Sequence, residues 1–450
     1  MKMKIFFSGA AGRCVKIGLL SILVLLPVLL CGCTGLSAAG YAEAAEAAHT
    51  QPAAALNNQM NEGDEMQNSE TARIDKVLLS EIESAYMNVK DYGAAGDGST
   101  DDTAAVRKAM EAAYAKNATV YFPSGSYLIS ETIQVPKNDA RVLVLKGDGD
   151  STIIGAETLA DDMFRVFMKY NFQMIDLRIE HRGTCGSLVS AVYLRAFNCT
   201  FISGRENPSN AVTFHGSDSK IDGCTFAVSN PEAYAVYYSM LEQEISINDY
   251  IVDNHFTGTG RGILVGDGRY TSSGRSEGLK INGNIFENTG DSQIVIQEIL
   301  HVDIAGNKMS GSSASAIVLR SAGHGPDGIF INRNEITAAF SCIRTEGAPE
   351  AYISMVSVSD NQLTGGRYGF YDTIGVNKGF MRDNLFEGQS EAGVYLEETK
   401  NMLILSNTFV VSERALSLDV SGSGYTVIAE NALGRNNKIA LTGACIVQET

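Results

Sequence analysis

The 450-residue chain has no tryptophan, no Cys-x-x-Cys pair and no cluster of cysteine and histidine at zinc-ligand spacing. Zinc modules and dithiol redox motifs are thereby excluded, and no metal site is expected. Basic residues are few: 35 Lys and Arg face 52 Asp and Glu, a formal charge of −17. Such acidity excludes nucleic acid as the partner, because binding a phosphate backbone rests on a basic surface. It leaves polysaccharides open, acidic ones included, since the field in a local cleft can differ from the mean. The apolar run from Gly18 to Leu30 is too short to span a bilayer comfortably.

What the chain does contain is a repeat. Between Leu177 and Leu433 one phrase recurs: apolar, any, any, Asn, any, apolar. It reads Ile251-Val252-Asp253-Asn254-His255-Phe256, then Ile281-Asn282-Gly283-Asn284-Ile285-Phe286, and returns around Asn307, Asn334, Asn361, Asn384, Asn407 and Asn431. The spacings are 30, 23, 27, 27, 23, 23 and 24 residues. Three earlier copies put Leu177, Cys199 and Cys224 in the Asn slot. Short apolar alternations broken by Gly, Ser, Asn and Asp imply half-buried strands, three per turn of a parallel solenoid. One such unit cannot bury its apolar side alone, so units stack. The repeated Asn is expected at a tight turn in the left-handed conformation, its amide bonding to the coils above and below. The turn acids Asp253, Asp360 and Asp383 are then structural. Cys199 and Cys224 share the ladder slot, as stacked buried thiols or as a disulfide.

The N-terminus carries Lys2, Lys4, Arg13 and Lys16 before the apolar run, which ends Leu30-Cys31-Gly32-Cys33. These are signal-peptide flanks, and the ending resembles a bacterial lipobox with Cys33 as the acceptor of lipid. Residues 1–33 are therefore read as a lipoprotein signal, and 34–73, rich in Ala, Asn, Gln and Glu, as a disordered linker. Residues 74–450 are the folded domain, opening with a short amphipathic helix over Ile74–Tyr86. The protein is expected on the extracellular side of the bacterial cell membrane, held by a lipid anchor.

The most specific stretch runs from Asn88 to Ile129. Val89-Lys90-Asp91-Tyr92 reads as a strand, Gly93, Gly96 and Gly98 as a tight turn, and Asp101 or Asp102 as the cap of a helix. Val106, Ala109, Met110 and Ala113 fall on one face of that helix, which can cover the open end of the solenoid. The turn is neither of the glycine-rich phosphate loops. This stretch, to about Gly155, resembles the N-terminal segment of the pectate-lyase superfamily, in the group similar to rhamnogalacturonases and polysaccharide epimerases. The resemblance implies an all-β fold: a right-handed, single-stranded parallel β-helix with an N-terminal capping helix. It also implies a polysaccharide partner. The superfamily's catalytic signatures are mostly missing. Asn-Thr-Asp, Arg-Ile-Lys, Arg-x-Pro-x-x-Arg and Asp-Pro-His-Asp are absent, and Gly323-His324-Gly325 is an isolated match to one three-residue motif.

By the same resemblance, the working surface is the outer face of the sheet following the loop after each Asn phrase. Aligned strands give one outward column of Thr213, Tyr237, Leu264, Val295, Val318, Arg344, Tyr371, Tyr395 and Ser417. The next is His215, Ser239, Gly266, Gln297, Arg320, Glu346, Thr373, Glu397 and Asp419. Charge gathers from Arg320 onward. Glu346, Asp372 and Glu397 are the catalytic candidates, although Asp372 falls in an inward register. Arg320, Arg344, Tyr371, Tyr395 and His324 are the substrate-binding candidates: guanidiniums for uronate carboxylates, tyrosines for sugar faces. Glu346 and Glu397, two coils apart, have backbones about 10 Å apart. Inverting glycosidases hold their carboxyls about 6.5–9.5 Å apart.

The leading reading is glycoside hydrolysis by a carboxylate pair, with no cofactor. A polysaccharide lyase is the first alternative. There Arg320 or Arg344 is the base, and Ca2+ or an arginine neutralises the uronate. A non-catalytic glycan-binding or cell-surface module is the second. Cys33→Ser, or globomycin treatment of producing cells, should abolish lipidation and release the protein from membranes. Unchanged mass and membrane partitioning of the Cys33 variant would refute the anchor.

Overall fold

The structure is a computed structural model and describes residues 3–6, 86–135, 141–168, 171–239, 245–266, 276–321, 325–348, 353–434 and 438–448. Cys33, the linker, nearly all of the expected 74–86 helix, and His324 lie outside the described residues. From residue 86 onward the chain winds through about twelve turns. Each turn contributes up to three short strands. One runs Ser292–Gln297, Leu300–Ala305 and Lys308–Ser312. Each pairs in parallel with its counterpart one turn on: Ser315–Ser321, Asp327–Asn332 and Glu335–Ala338. Among the described residues the third sheet has thirteen strands. This is the parallel solenoid expected from the repeat.

Each ladder Asn fastens its coil to both neighbours. Asn334 Nδ2 donates to Asn361 Oδ1 at 2.9 Å and to Ile304 O at 2.8 Å. Its own Oδ1 accepts from Asn307 N and from Asn307 Nδ2, both at 2.9 Å. The pattern holds unbroken from Asn254 through Asn431. Before Asn254 the rungs are cysteines. Cys224 N donates to Asn254 Oδ1 at 2.8 Å, and Cys199 N lies 3.4 Å from Cys224 Sγ. Both are free, buried thiols, so the disulfide alternative is set aside.

The left-handed residue is the one before the Asn. Asp253, Arg333, Asp360, Asp383 and Ser406 all have φ between 55 and 57 or close to it, with Arg333 at 54. None of the ladder Asn residues has positive φ. The turn needs one residue in this region, and placing it ahead of the Asn leaves the amide aimed inward. Two residues after the Asn, aromatic rings stack inside the coil: Phe226 on Phe256 at 5.0 Å, Phe256 on Phe286 at 4.5 Å, and Phe386 on Phe409 at 4.8 Å. Each is fully buried, stabilising by roughly 2–3 kcal/mol.

Two further differences lie near the start. Val89–Tyr92 is a 3-10 turn instead of a strand, because Asn88 Oδ1 accepts from Lys90 N at 3.0 Å and Gly93, at φ 100, closes it. The helix Thr103–Lys116 buries Val106, Ala109, Met110 and Ala113 and packs on Thr119–Phe122 and Leu143–Gly147. Asp102 holds the N-cap position, but its carboxylate accepts from Ala95 N at 2.7 Å and Gly96 N at 3.1 Å, tying down the glycine turn. Asp101 supplies the cap, accepting from Thr103 N at 3.0 Å.

One core position is acidic. Where later coils place Leu279, Val302 and Ile329, the coil before them has Asp249, fully buried. It accepts from Ser219 N at 2.9 Å, Tyr238 Oη at 2.7 Å and Ser246 Oγ at 2.6 Å. Burial pushes its pKa from 3.8 up to about 7. The fold thus favours the protonated form. Its contribution to stability is full below about pH 4 and is lost as pH rises through 7.

Asn334→Ala should lower the unfolding free energy by about 2–3 kcal/mol, since it strands the partners of four buried hydrogen bonds. An unchanged thermal or denaturant midpoint would remove the ladder from the account of stability.

Candidate functional site

The outer face of the first sheet changes character along the stack. Its central row pairs Tyr237 with Leu264, then Val295, Val318, Arg344, Tyr371, Tyr395 and Asp419. The early part is apolar and covered: Val295 and Val318 are buried with Tyr234, and Leu264 packs against them. From Arg344 onward the row is polar or aromatic and half-exposed. The candidate site residues lie on these later coils, where the sequence concentrates charge.

At its near edge is an ion triad. Arg320 Nε donates to Glu346 Oε1 at 2.6 Å, and Arg344 Nη2 lies 3.2 Å from Glu346 Oε2. The two guanidiniums are about one-third exposed and Glu346 less so. Register explains the first contact, because Arg320 and Glu346 are direct neighbours on adjacent strands. Glu346 is thus held between two positive charges.

Beside the triad lies an aromatic cluster. Tyr371 stacks on Tyr395 at 5.1 Å, and Tyr368 lies 4.5 Å from Tyr371 and 5.6 Å from Tyr395. Phe340 meets Tyr371 edge-on at 5.2 Å, and the Arg344 and Arg367 guanidiniums lie 5.7 and 5.5 Å from its centroid. The rings lie on one another, so part of each face is already covered.

Asp372 stands apart from this face. It is 0% exposed. Its carboxylate accepts from the Thr345 hydroxyl, from Gly375 N at 3.1 Å and from Val376 N at 3.0 Å. Its inward register is genuine: it closes the turn that follows Tyr368–Asp372, and burial raises its pKa. Of the three catalytic candidates named from the sequence, Asp372 is the one with no exposed surface, its carboxylate tied to the turn that follows it.

The structure brings Asp419 in its place. Sequence alignment set Ser417 beside Tyr395 and Asp419 beside Glu397. In the fold, Asp419 pairs with Tyr395 and Ser421 with Glu397, a shift of two residues, and Ser417 is buried. Glu397 and Asp419 lie on adjacent strands, two residues apart in register, so their backbones are about 8 Å apart. Tyr395 Oη donates to Glu397 Oε1 at 2.7 Å. That bond, then burial, then the charges of Glu397 and Asp419, drive the phenol's pKa well above the ordinary tyrosine range. Burial and the Glu397 charge raise that of Asp419. Tyr368, Phe340 and the register of Asp419 were missed in the sequence; the aromatic neighbours could have been found by extending each outward column toward the strand starts. Among the described residues no group of His, Cys, Asp and Glu is placed to hold a metal ion.

Comparison with known proteins places this geometry in a family. The family described as Rhamnogalacturonase A/epimerase, pectate lyase-like, matches residues 86–316, just over half the chain, and the right-handed β-helix region matches 294–448. The chain is 43% identical over 61 residues to the plasmin and fibronectin-binding protein A of Streptococcus pneumoniae, 13% of this chain and 8% of that one. It is 28% identical over 190 residues to the pre-neck appendage protein of Bacillus phage B103, 38% of this chain and 20% of that one. It is 59% identical over 44 residues to the mannuronan C5-epimerase AlgE5 of Azotobacter vinelandii, 10% of this chain and 4% of that one. The matched stretches thus span a fifth or less of these relatives. Among solved structures, PfbA, a surface adhesin of S. pneumoniae, superposes with a TM-score of 0.51 at 14% identity, over 81% of this chain and 93% of that one, which speaks to fold. The chain belongs to the Rhamnogalacturonase A/epimerase, pectate lyase-like family and is built as a right-handed parallel β-helix.

Proposed function

We propose that this protein acts on a polysaccharide and hydrolyses a glycosidic bond at the outer face of the first sheet, with Asp419 as acid and Glu397 as base. The observation that carries this is the pair itself: two carboxylates on neighbouring coils, one raised in pKa by burial and then by the other's charge. The two backbones are about 8 Å apart, and the lean of the side chains sets whether the carboxyls reach the roughly 6.5–9.5 Å that an inverting pair uses. In the proposed step the Asp419 proton goes to the glycosidic oxygen as the C–O bond breaks. Water attacks the sugar carbon from the other side and gives its proton to Glu397. Solvent then restores both groups.

The lyase reading has less support. Its base would be an arginine or tyrosine with a lowered pKa. Arg320 and Arg344 are both committed to Glu346, and the hydrogen bond from Tyr395 to Glu397 moves its phenol the wrong way. Binding without cleavage is the second reading, favoured by the surface adhesin among the fold relatives. Anchoring through Cys33 on the outer membrane surface of the producing cell belongs to this proposal as well.

Rhamnogalacturonan, polygalacturonate and mannuronan form the first test panel, assayed for new reducing ends and, separately, for the ultraviolet absorbance of unsaturated product. On a polymer the wild type cuts, Glu397→Gln and Asp419→Asn should each lower kcat by 100-fold or more with little change in KM. Full activity in both would end the assignment, and unsaturated product would replace it with elimination. Asp372→Asn should act oppositely: a loss of about 2–3 kcal/mol of stability from its disrupted turn, with kcat retained in the fraction that folds.

A further inference from the structure

Glu397 and Asp419 differ in one contact. Tyr395 sits beside both: its hydroxyl donates to Glu397 Oε1 at 2.7 Å, and its backbone is the register partner of Asp419. The ring is fixed by Tyr371, stacked at 5.1 Å, and by Tyr368 at 5.6 Å. No hydrogen-bond donor among the described residues acts on the Asp419 carboxylate. The other ionisable groups facing the pair are Tyr368 and Tyr371 from the coil before, with Arg367 and Glu391 paired at the rim, 3.6 Å apart. Ser421 and Ala440 neighbour them from the following coils.

We infer that Tyr395 is a positioning residue that divides the labour of this pair: its hydroxyl holds Glu397 as the ionised base and thereby leaves the proton on Asp419. The inference rests on the hydrolase reading for the words acid and base, and on the geometry alone for the division. A hydroxyl that donates to a carboxylate favours the charged form. A fixed negative charge on Glu397 then disfavours a second one on its neighbour, which has no donor of its own. The raised Asp419 and Tyr395 agree in direction. Without the phenol, Glu397 loses that donor, while burial still favours the protonated form of Asp419.

The test uses the full chain with 13C-labelled Asp and Glu carboxyls, assigned through Glu397→Gln and Asp419→Asn and titrated by NMR. In the wild type Glu397 should titrate below Asp419; the reverse order overturns the inference with no variant of Tyr395 needed. In Tyr395→Phe, which keeps the ring stack, the Glu397 midpoint should rise by about one pH unit. The acidic limb of kcat/KM on the cleaved polymer should move with it, kcat should fall about tenfold, and KM should hold. A purely structural tyrosine would lower the melting temperature and leave both midpoints in place, and that result also overturns the inference. If the wild type cuts none of the three polymers, the hydrolase reading fails by itself. The order of the two midpoints, and its response to Tyr395→Phe, still decides whether Tyr395 sets where the proton sits.

Discussion

The side-chain amide of each ladder asparagine is shared between two coils, and the rest of the molecule depends on that sharing. A primary amide has two donors and an acceptor with two lone pairs. Here the donors go to the preceding coil's backbone and the following Asn, while the acceptor takes two bonds from the Asn behind. The turn between the second and third sheets is thus saturated without water, which a buried turn requires. It also fixes the rise of every coil to the same repeat as the sheets, about 4.8 Å. A slip by one rung would leave an amide unpaired at each end, so register is set where the core is most crowded.

That constraint separates two regions of each coil. The turn carrying the Asn varies little: the amide is kept from Asn254 to Asn431, with Cys199 and Cys224 as the rungs before it. The rows inside the sheets are mostly apolar, and they admit Asp249 and Asp372 only where several donors surround the carboxylate. The outer face of the first sheet carries neither burden. Its side chains can be apolar and covered, as at Val295 and Val318, or ionised and half-exposed, as from Arg344 to Asp419, without disturbing the coil. Charged and aromatic side chains accordingly gather there, and their grouping follows register: side chains on adjacent coils meet whatever their separation in sequence.

The solenoid was legible because the ladder is local. A single six-residue phrase contains the turn, the amide and the core position after it, so counting phrases counts coils. The outward columns were legible for the same reason, through alternation. The partner of Tyr395 was not. A slip of one residue turns a strand inside out and contradicts the apolar pattern, but a slip of two keeps every side chain on its own face. The run Leu416-Ser417-Leu418-Asp419 alternates in sequence, which favours the wrong register; in the fold Ser417 and Leu418 are both buried and Leu416 is half-exposed. Asp372 shows the complementary case. Its inward position broke the pattern, and the break marked a buried carboxylate tying a turn.

The same two-residue shift changes the chemistry available on the face. With Asp419 beside Glu397, as the sequence alignment had it, two carboxylates would be direct neighbours about 5 Å apart, with Tyr395 displaced from their midst. With Asp419 beside Tyr395, the phenol comes between them in register and the carboxylates separate to about 8 Å at the backbone. Glu346, by contrast, lies among arginines, where its charge is spent on holding them. Of the acids on the outer face, Glu397 and Asp419 are the two that lie on adjacent strands with a phenol donating to one of them only. That difference, set by one hydroxyl and one strand register, is what the proposed division between acid and base rests on.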